Sequence, residues 1–211
     1  MVKQRLSRAE KSARTRAELM ASARQLFLRR GFHAASLELV AEEAGFTIGA
    51  VYSRFGSKAD LFLAILDERI DQIVADVARV AALDQPLPAH AELLAGRRME
   101  LLEREQEWFP LVLEFWSHAA RDQRLRREFG ARHERLVGAY AALIEADYAR
   151  LGLPLPLAPE VLARAVVAMG NGIALERLAD PDRVPDGLLP TMAIAFLRGV
   201  ATGDPQPERR S

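Results

Sequence analysis

The 211-residue chain contains no cysteine, no long apolar run and few segments that alternate like a strand. The absence of cysteine excludes disulfides, thiolate nucleophiles and cysteine-ligated zinc, and it fits a reducing compartment. No stretch of about 18 apolar residues is present to span a membrane, and the first residues lack the apolar segment of a signal peptide. We therefore expect a cytoplasmic protein with no membrane partner. The scarcity of period-two alternation argues against a β-sheet fold.

Catalytic and metal-binding patterns are also missing. The histidines, which are His33, His90, His118 and His133, are scattered without an HxxxH or HExxH spacing. The GNG at 170–172 is not followed by the rest of a nucleotide-binding loop, and no Ser-His-Asp or Walker pattern occurs. The sequence therefore predicts no enzyme, no catalytic residue, no metal site and no cofactor.

The net charge is zero, but the charges are unevenly distributed. Residues 1–60 contain eleven Lys/Arg against six Asp/Glu, whereas residues 61–211 contain eighteen against twenty-three. A cationic N-terminal part favours a polyanionic partner. A solvated basic tail accounts for part of the surplus, because five of the eleven positive charges precede Arg16.

Apolar residues recur with helical spacing along the chain and predict an all-α fold. A first helix over 16–32 ends near Gly31, and Ser36, Thr47 and Ser57 are N-caps of the next three helices. After a break over 83–90, which contains Pro86 and Pro88, further helices are expected near 90–107, 109–120, 122–151, 159–179 and 186–202.

The second and third of these helices fit a helix-turn-helix unit. Ala41 is small enough for two steeply crossing helices, Gly45 supplies the positive φ of the turn, and Val51 packs the second helix onto the first. The other residues of 48–54 then face outward with little apolar character. Such a face is typical of a helix that enters a groove of DNA.

The pattern becomes specific over residues 16–66. Its motif residues are Ala23, Leu26-Phe27, Gly31-Phe32, Ser36, Ala44-Gly45, Tyr52, Phe55 and Ser57-Lys58. This run resembles the DNA-binding domain of the TetR family of transcriptional regulators. The resemblance implies an N-terminal three-helix helix-turn-helix head and a larger C-terminal helical body for ligand binding and dimerisation. We expect a basic, disordered arm over 1–15, the head over 16–62, the body over 63–204 and a frayed tail over 205–211.

The predicted DNA contacts surround the second helix of that unit. Hydroxyls at helix N-termini and nearby cations suit phosphates, Tyr52 resembles the family's backbone-contacting tyrosine, and small outer residues suit base edges. The predicted DNA-binding residues are Ser36, Thr47, Ile48, Gly49, Ala50, Tyr52, Ser53, Arg54 and Lys58. Simple helix caps, a half-buried tyrosine and solvated charges are the alternatives for the phosphate-contacting members of this set.

The family resemblance also implies an effector pocket in the body. Aromatic and methionine side chains line adaptable apolar cavities well, and ordinary core packing is the alternative for each of them. The predicted ligand-binding residues are Met99, Leu102, Trp108, Phe115, Trp116, Tyr140 and Met169.

Helix 159–179 carries two apolar stripes, one of large and one of small residues. A single stripe is enough to dock a helix on its own subunit, so the second stripe indicates contact with another copy of the chain. With the last helix it is similar to the dimerisation pair of the family. The predicted dimer interface consists of Ala165, Ala168, Gly172, Leu175, Met192 and Phe196. Which stripe faces the dimer and which faces the pocket is open at this point.

These features together predict a homodimeric repressor that binds a palindromic double-stranded DNA operator and is released by a small apolar or aromatic effector. Two alternatives remain. One is a helical small-molecule carrier or enzyme whose N-terminal unit is merely structural, and the other is a regulator whose body receives a protein partner and no ligand.

Overall fold

The structure, a computed structural model, describes residues 7–104 and 106–202, and this part of the chain is helical without strands. The helices are α1 (Arg8–Ala34), α2 (Leu37–Ala44), α3 (Ile48–Tyr52), α4 (Lys58–Ala81), α5 (Leu87–Arg104), α6 (Trp108–Ala119), α7 (Gln123–Leu151), α8 (Pro159–Ala179) and α9 (Leu188–Thr202). A 3-10 turn at Pro181–Arg183 precedes α9. The predicted all-α class is confirmed, and from α2 onward the predicted helices agree with the observed ones to within a few residues.

The first helix begins earlier than predicted. Ser7 and Glu10 form a capping box, in which the Glu10 amide donates to Ser7 Oγ at 3.2 Å and the Ser7 amide donates to Glu10 Oε2 at 2.7 Å. The helix therefore starts at Arg8, and the expectation of a disordered arm is wrong for residues 8–15. Residues 1–6 and the predicted tail over 205–211 lie outside the described residues.

The chain divides into two compact units whose boundaries fall inside α4 and α7. Of the described residues, the first unit contains 7–69 and 107–130, and the second contains 70–104, 106 and 131–202. The grouping is not sequential, because α6 and the start of α7 cluster with the N-terminal helices. The sequence analysis places the end of the DNA-binding head at residue 62 and treats the body as one continuous segment. As a division between DNA binding and effector binding, this boundary stays a prediction.

The core of the first unit is aromatic. Phe27, Phe32 and Phe62 are buried, and their ring centroids are 5.5–5.9 Å apart. Phe115 from α6 stacks on Phe62 at 4.2 Å and meets Phe32 edge-on at 5.0 Å. Such offset and edge-to-face ring pairs add to the free energy of burying the rings. The cluster therefore ties α6 to α1 and α4.

This cluster corrects part of the predicted effector pocket. Phe115 is a core residue of the first unit, and Trp108 stacks on Phe62 with centroids 6.0 Å apart. Trp116 is largely exposed and stacks on Phe129 at 6.1 Å. Contrary to the prediction, none of these three aromatic side chains lines the pocket described below. The helix predicted near 109–120 is present as α6, and its aromatic side chains pack on α1 and α4.

The second unit is a packed set of helices from both parts of its sequence. Buried residues of α5, α7, α8 and α9 form its main cluster, which consists of Leu87, Val137, Ala141, Ile144, Tyr148, Leu162, Ala163 and Leu197. The Tyr148 hydroxyl donates to the Leu197 carbonyl at 2.7 Å and satisfies its polar end inside the core. Within residues 7–104 and 106–202, no helix combines the length and the apolar composition that crossing a membrane requires.

Candidate nucleic-acid interface and ligand pocket

Local sequence signals build the helix-turn-helix unit as predicted. Ser36 caps α2 by accepting the Leu39 amide at 3.3 Å, and Gly45 ends α2 with a left-handed φ of 70°. Ala41 and Val51 are buried where the two helices meet, and the Phe46 amide closes the turn on the Ala41 carbonyl at 2.9 Å. A residue with a Cβ would be strained at the φ of Gly45. The short turn therefore fixes the crossing of α2 and α3.

The third helix presents one packed face and one open face. Thr47 caps it by accepting the Ala50 amide at 3.2 Å, and Val51 plugs it into the core of the first unit. On the opposite side Ile48, Gly49 and Ser53 are exposed, and Tyr52 is 52% exposed. Tyr52 therefore lies on the exposed face of α3 and is not part of the buried core.

Arg54 lies at the end of this face and is folded back on it. Its Nη1 donates to the Ala50 carbonyl at 2.9 Å and to Ser53 Oγ at 3.1 Å. Its Nε is buried and has no hydrogen-bond partner among the described residues. A guanidinium has five N–H donors, so Arg54 keeps donors for a further acceptor next to α3. The alternative of a freely solvated charge does not describe it.

Lys58 is engaged inside the protein. Its Nζ donates to the carbonyl oxygens of Phe32, His33 and Ala35 at 2.7, 3.0 and 2.8 Å, and it lies 4.6 Å from the centroid of the Phe32 ring. Burial lowers the pKa of the Lys58 ammonium, and the charge of Glu114 partly offsets this effect. An ammonium group has three N–H donors. The predicted phosphate contact of Lys58 therefore finds no free donor in this conformation, and its observed role is to cap the end of α1.

We expect Lys58→Met to destabilise the fold, since it leaves carbonyls at the end of α1 without their donor. Hydrogen bonds to charged groups are worth roughly 1.5–3 kcal/mol, so the free energy of unfolding should fall by about 2 kcal/mol. Urea denaturation followed by circular dichroism measures the change. Lys11→Met, at an exposed position of α1, is the matched control and should change stability little. Equal stability of both variants and the wild type would contradict the capping role.

The carboxylate of Glu114, from α6, binds the same end of α1. The Phe32 and His33 amides donate to Glu114 Oε2 and Oε1 at 3.0 and 2.8 Å. Gly31 has a φ of 76°, and a Cβ placed there would come within 2.8 Å of Glu114 Oε2. The sequence predicts Gly31 as a helix end but does not connect Glu114 with it, because the two amides that Glu114 binds lie 82 and 81 positions away along the chain.

The second unit contains an apolar pocket among α5, α7, α8 and α9. Its volume is about 60 Å³, several times what one water needs. The lining residues are Leu87, His90, Ala91, Leu94, Ala95, Arg98, Leu136, Tyr140, Leu143, Ile144, Asp147, Val166, Val167, Gly170, Leu189, Ala193 and Leu197. Of the predicted ligand-binding residues, Tyr140 lines it and Met169 does not. The side chains of Met99 and Leu102 lie outside the described residues.

Two polar features of this pocket were not predicted as part of it. His90 Nδ1 lies 2.9 Å from both carboxylate oxygens of Asp147, and both side chains are almost fully buried. Arg98 Nη2 donates to Asn171 Oδ1 at 2.8 Å, while its Nε is buried without a partner among the described residues. Burial lowers the pKa of Arg98 and raises that of Tyr140, and the two groups partly offset each other's shift. The pocket is therefore apolar with a cation in its wall.

Both last helices expose apolar side chains. Val161, Ala168 and Leu175 of α8 are exposed and follow a spacing of seven, and Leu175 is 51% exposed. Met192 of α9 is 44% exposed. In contrast, Leu162 and Val167 on the other face of α8 are buried in the second unit. Of α8, Val166, Val167 and Gly170 line the pocket.

Comparison with known proteins agrees with this geometry. Residues 19–65 match the sequence model of bacterial regulatory proteins, tetR family, and residues 89–202 match that of the BetI-type transcriptional repressor, C-terminal. YfiR of Bacillus subtilis, an uncharacterized HTH-type transcriptional regulator, is 24% identical over 92% of this chain and 96% of its own. The activator FasR of Mycolicibacterium smegmatis is 27% identical over 47% of this chain, and the match spans 45% of FasR.

The fold is shared with solved structures. A putative regulator from Saccharomonospora viridis in complex with choline has a TM-score of 0.66 at 18% identity, covering 88% of this chain and 96% of that one. The chain belongs to the TetR family of bacterial regulatory proteins and is a DNA-binding transcriptional regulator.

Proposed function

We propose that this regulator binds a palindromic operator as a homodimer, represses transcription there, and is released by a small effector bound in the body. The observation that carries the DNA contact is the open face of α3. Val51 holds the helix to the core, while Ile48, Tyr52 and Ser53 point away from it. Within the described part of the chain, the exposed face of this five-residue helix makes no packing contact that would explain its residues, whereas contact with a groove of DNA would explain them.

Phosphate and base contacts divide along this surface. The hydroxyls of Ser36 and Thr47 lie at helix N-termini, where free amides also favour anions, and Tyr52 and Arg54 flank the same face. Ile48 and Ala50 suit the methyl groups of thymine, and Gly49 permits close approach of the backbone. None of the outward residues of α3 offers an amide or guanidinium for a bidentate base contact, apart from the folded-back Arg54. Shape and phosphate contacts therefore dominate the affinity.

The dimer is proposed to form through the exposed stripes of α8 and α9. Val161, Ala168, Leu175 and Met192 expose apolar surface that a monomer would leave in water. Small residues at 165, 168 and 172 permit two copies of α8 to approach closely across a two-fold axis. The two recognition helices must then lie about 34–36 Å apart, or a multiple of that, to enter successive major grooves.

Effector control is assigned to the pocket of the second unit. A ligand that fits the body of the free state better than that of the DNA-bound state shifts the population toward release, in proportion to its differential affinity. The pocket supports a ligand-controlled regulator over one controlled by a protein partner. Repression is supported by the match of residues 89–202 to the C-terminal part of a transcriptional repressor. The protein acts in the cytoplasm, where its DNA target lies.

Tyr52→Phe tests the assignment of α3. The substitution removes one hydroxyl from the exposed face and should weaken binding to DNA of any sequence by at least about tenfold, the value of one hydrogen bond to a charged group. Fluorescence anisotropy with a duplex selected from a random library measures the affinity. Tyr148→Phe is the matched control: it removes a buried hydroxyl, so it should lower the melting temperature and leave the affinity unchanged. If Tyr52→Phe binds DNA like the wild type, α3 is not the recognition helix.

A further inference from the structure

Arg98 places a positive charge in the wall of a mainly apolar cavity. It projects from α5 among leucine, valine and alanine side chains, and its one hydrogen bond to a described residue is the 2.8 Å contact with the neutral amide oxygen of Asn171. Its Nε is out of reach of solvent and has no partner among the described residues. Arg98 as a whole is half-buried, and a cation withdrawn from water is costly unless an anion pairs with it. The arrangement is thus incomplete without a further acceptor.

Asp147, the carboxylate among the described lining residues, has hydrogen-bond partners other than Arg98. Asp147 accepts from His90 Nδ1 at 2.9 Å and from Arg150 Nη1 at 3.3 Å. His90 Nε2 lies 3.2 Å from the Leu83 carbonyl, so the described contacts of this ring are with Asp147 and the backbone. Asp147 therefore has partners of its own, and none of its described contacts is with Arg98.

We infer that Arg98 anchors an anionic effector, namely a small monocarboxylate with an apolar body, and this inference rests on the proposed effector function of the pocket. The guanidinium offers the planar fork that a carboxylate matches. Leu94, Val166 and Leu189 surround the place of the apolar body. The cavity volume of about 60 Å³ is smaller than the roughly 150 Å³ of a cavity that holds benzene, so a body of six carbon atoms requires the pocket to widen.

The same charge disfavours cationic effectors. A quaternary ammonium such as the choline held by the Saccharomonospora viridis protein would lie beside an unpaired guanidinium here. Like charges in a cavity of low dielectric repel more strongly than in water. The two proteins share a fold, and in this chain Arg98 selects effectors that carry a negative charge.

Matched ligands of one chain length separate charge from apolar fit. Titration calorimetry with hexanoate, 1-hexanol and hexylammonium is performed on the wild type, Arg98→Met, Arg98→Lys and the control Arg97→Met. Arg97 neighbours Arg98 on α5 but is exposed and donates to Asp76 at 3.0 Å. Hexanoate should bind the wild type and Arg97→Met at least about tenfold more tightly than 1-hexanol. Benzoate against benzyl alcohol repeats the comparison for a ring.

Arg98→Met should abolish this preference while leaving the affinity for 1-hexanol unchanged, and Arg98→Lys should retain part of it. The melting temperature without ligand should rise in Arg98→Met, because an apolar side chain replaces an unpaired half-buried charge. Should Arg98→Met fail to fold, Arg98→Lys still measures how much of the preference for the carboxylate depends on bidentate hydrogen bonding by the guanidinium. If neither carboxylate binds more tightly than its alcohol, or if Arg98→Met keeps the preference, the inference is overturned.

Release of operator DNA, followed in the same titrations, distinguishes the two proposals. Release by hexylammonium and not by hexanoate would overturn the anionic effector and leave the ligand-controlled regulator intact. Binding of hexanoate through Arg98 without any release of DNA would keep the anion site and overturn its role in control.

Discussion

Ala168→Glu is expected to yield a folded monomer that no longer binds an operator tightly. Ala168 lies exposed at the middle of the apolar stripe of α8, between Val161 and Leu175. In a two-fold symmetric interface the introduced carboxylate would either lie next to the same carboxylate of the other subunit or lose its hydration without gaining an ion-pair partner. Both outcomes disfavour association. In the monomer, by contrast, the introduced carboxylate would remain solvated and leave the second unit folded.

The loss of DNA binding follows from the loss of linkage between two heads. A second head held by the dimer binds at an effective concentration near millimolar, which raises the affinity by about 10²–10⁴ over one head. The operator affinity of Ala168→Glu should therefore fall by at least about a hundredfold. Sedimentation velocity gives the mass, and anisotropy with the selected duplex gives the affinity.

The control carries the same substitution elsewhere. Ala131→Glu places a carboxylate at an exposed position of α7 that is not assigned to the dimer, and it should remain dimeric with normal affinity. A wild type that is monomeric at micromolar concentration and nevertheless binds the operator tightly would remove the proposed dimer. The same conclusion follows if Ala168→Glu stays dimeric.

Operator binding should also depend steeply on salt. With six to eight phosphates neutralised per dimer, the logarithm of the association constant falls with a slope of about −5 to −7 against the logarithm of salt concentration. Affinity should then drop about a thousandfold or more between roughly 50 and 200 mM salt. The cause is the release of condensed counterions by the cationic N-terminal part, which carries a surplus of five positive charges over residues 1–60.

Anisotropy titrations at several salt concentrations measure the slope. Arg183→Gln removes an exposed arginine that pairs with Asp180 and is not assigned to DNA, so the slope of this control should equal that of the wild type. A nearly flat response of the wild type would contradict the role given to the N-terminal part.

The parts of the site that the sequence predicted well are those with local causes. Ser36 and Thr47 accept amides three positions later, and Gly45 takes the left-handed conformation at the end of α2. Each of these signals is complete within four or five residues. For the same reason Ala41 and Val51 could be placed in the core of the unit from spacing alone.

The failures have long-range causes. Lys58 looked like a surface cation, but the carbonyls that hold it lie 23–26 positions earlier. Phe115 was assigned to the pocket because it is aromatic, but residue type does not identify the packing partner, which is Phe62 of α4. Periodicity does carry an unused signal for Arg98: Leu87, Ala91 and Leu94 form a stripe whose continuation reaches this charged residue. A cation in an apolar stripe is the pattern by which the pocket's polar group could have been found.

The hydrogen bonds of Glu114 bear on how such regulators can be recombined. The DNA-binding part of this chain is not a self-contained segment that ends with α4, because the amides of Phe32 and His33 donate to a carboxylate of α6. A hybrid that joined the chain through residue 69 to a foreign body would leave these amides open beside Gly31. It would also expose Phe62, which Phe115 covers in this protein. An exchange of binding specificity must therefore transfer residues 107–130 together with the helix-turn-helix, as one discontinuous graft.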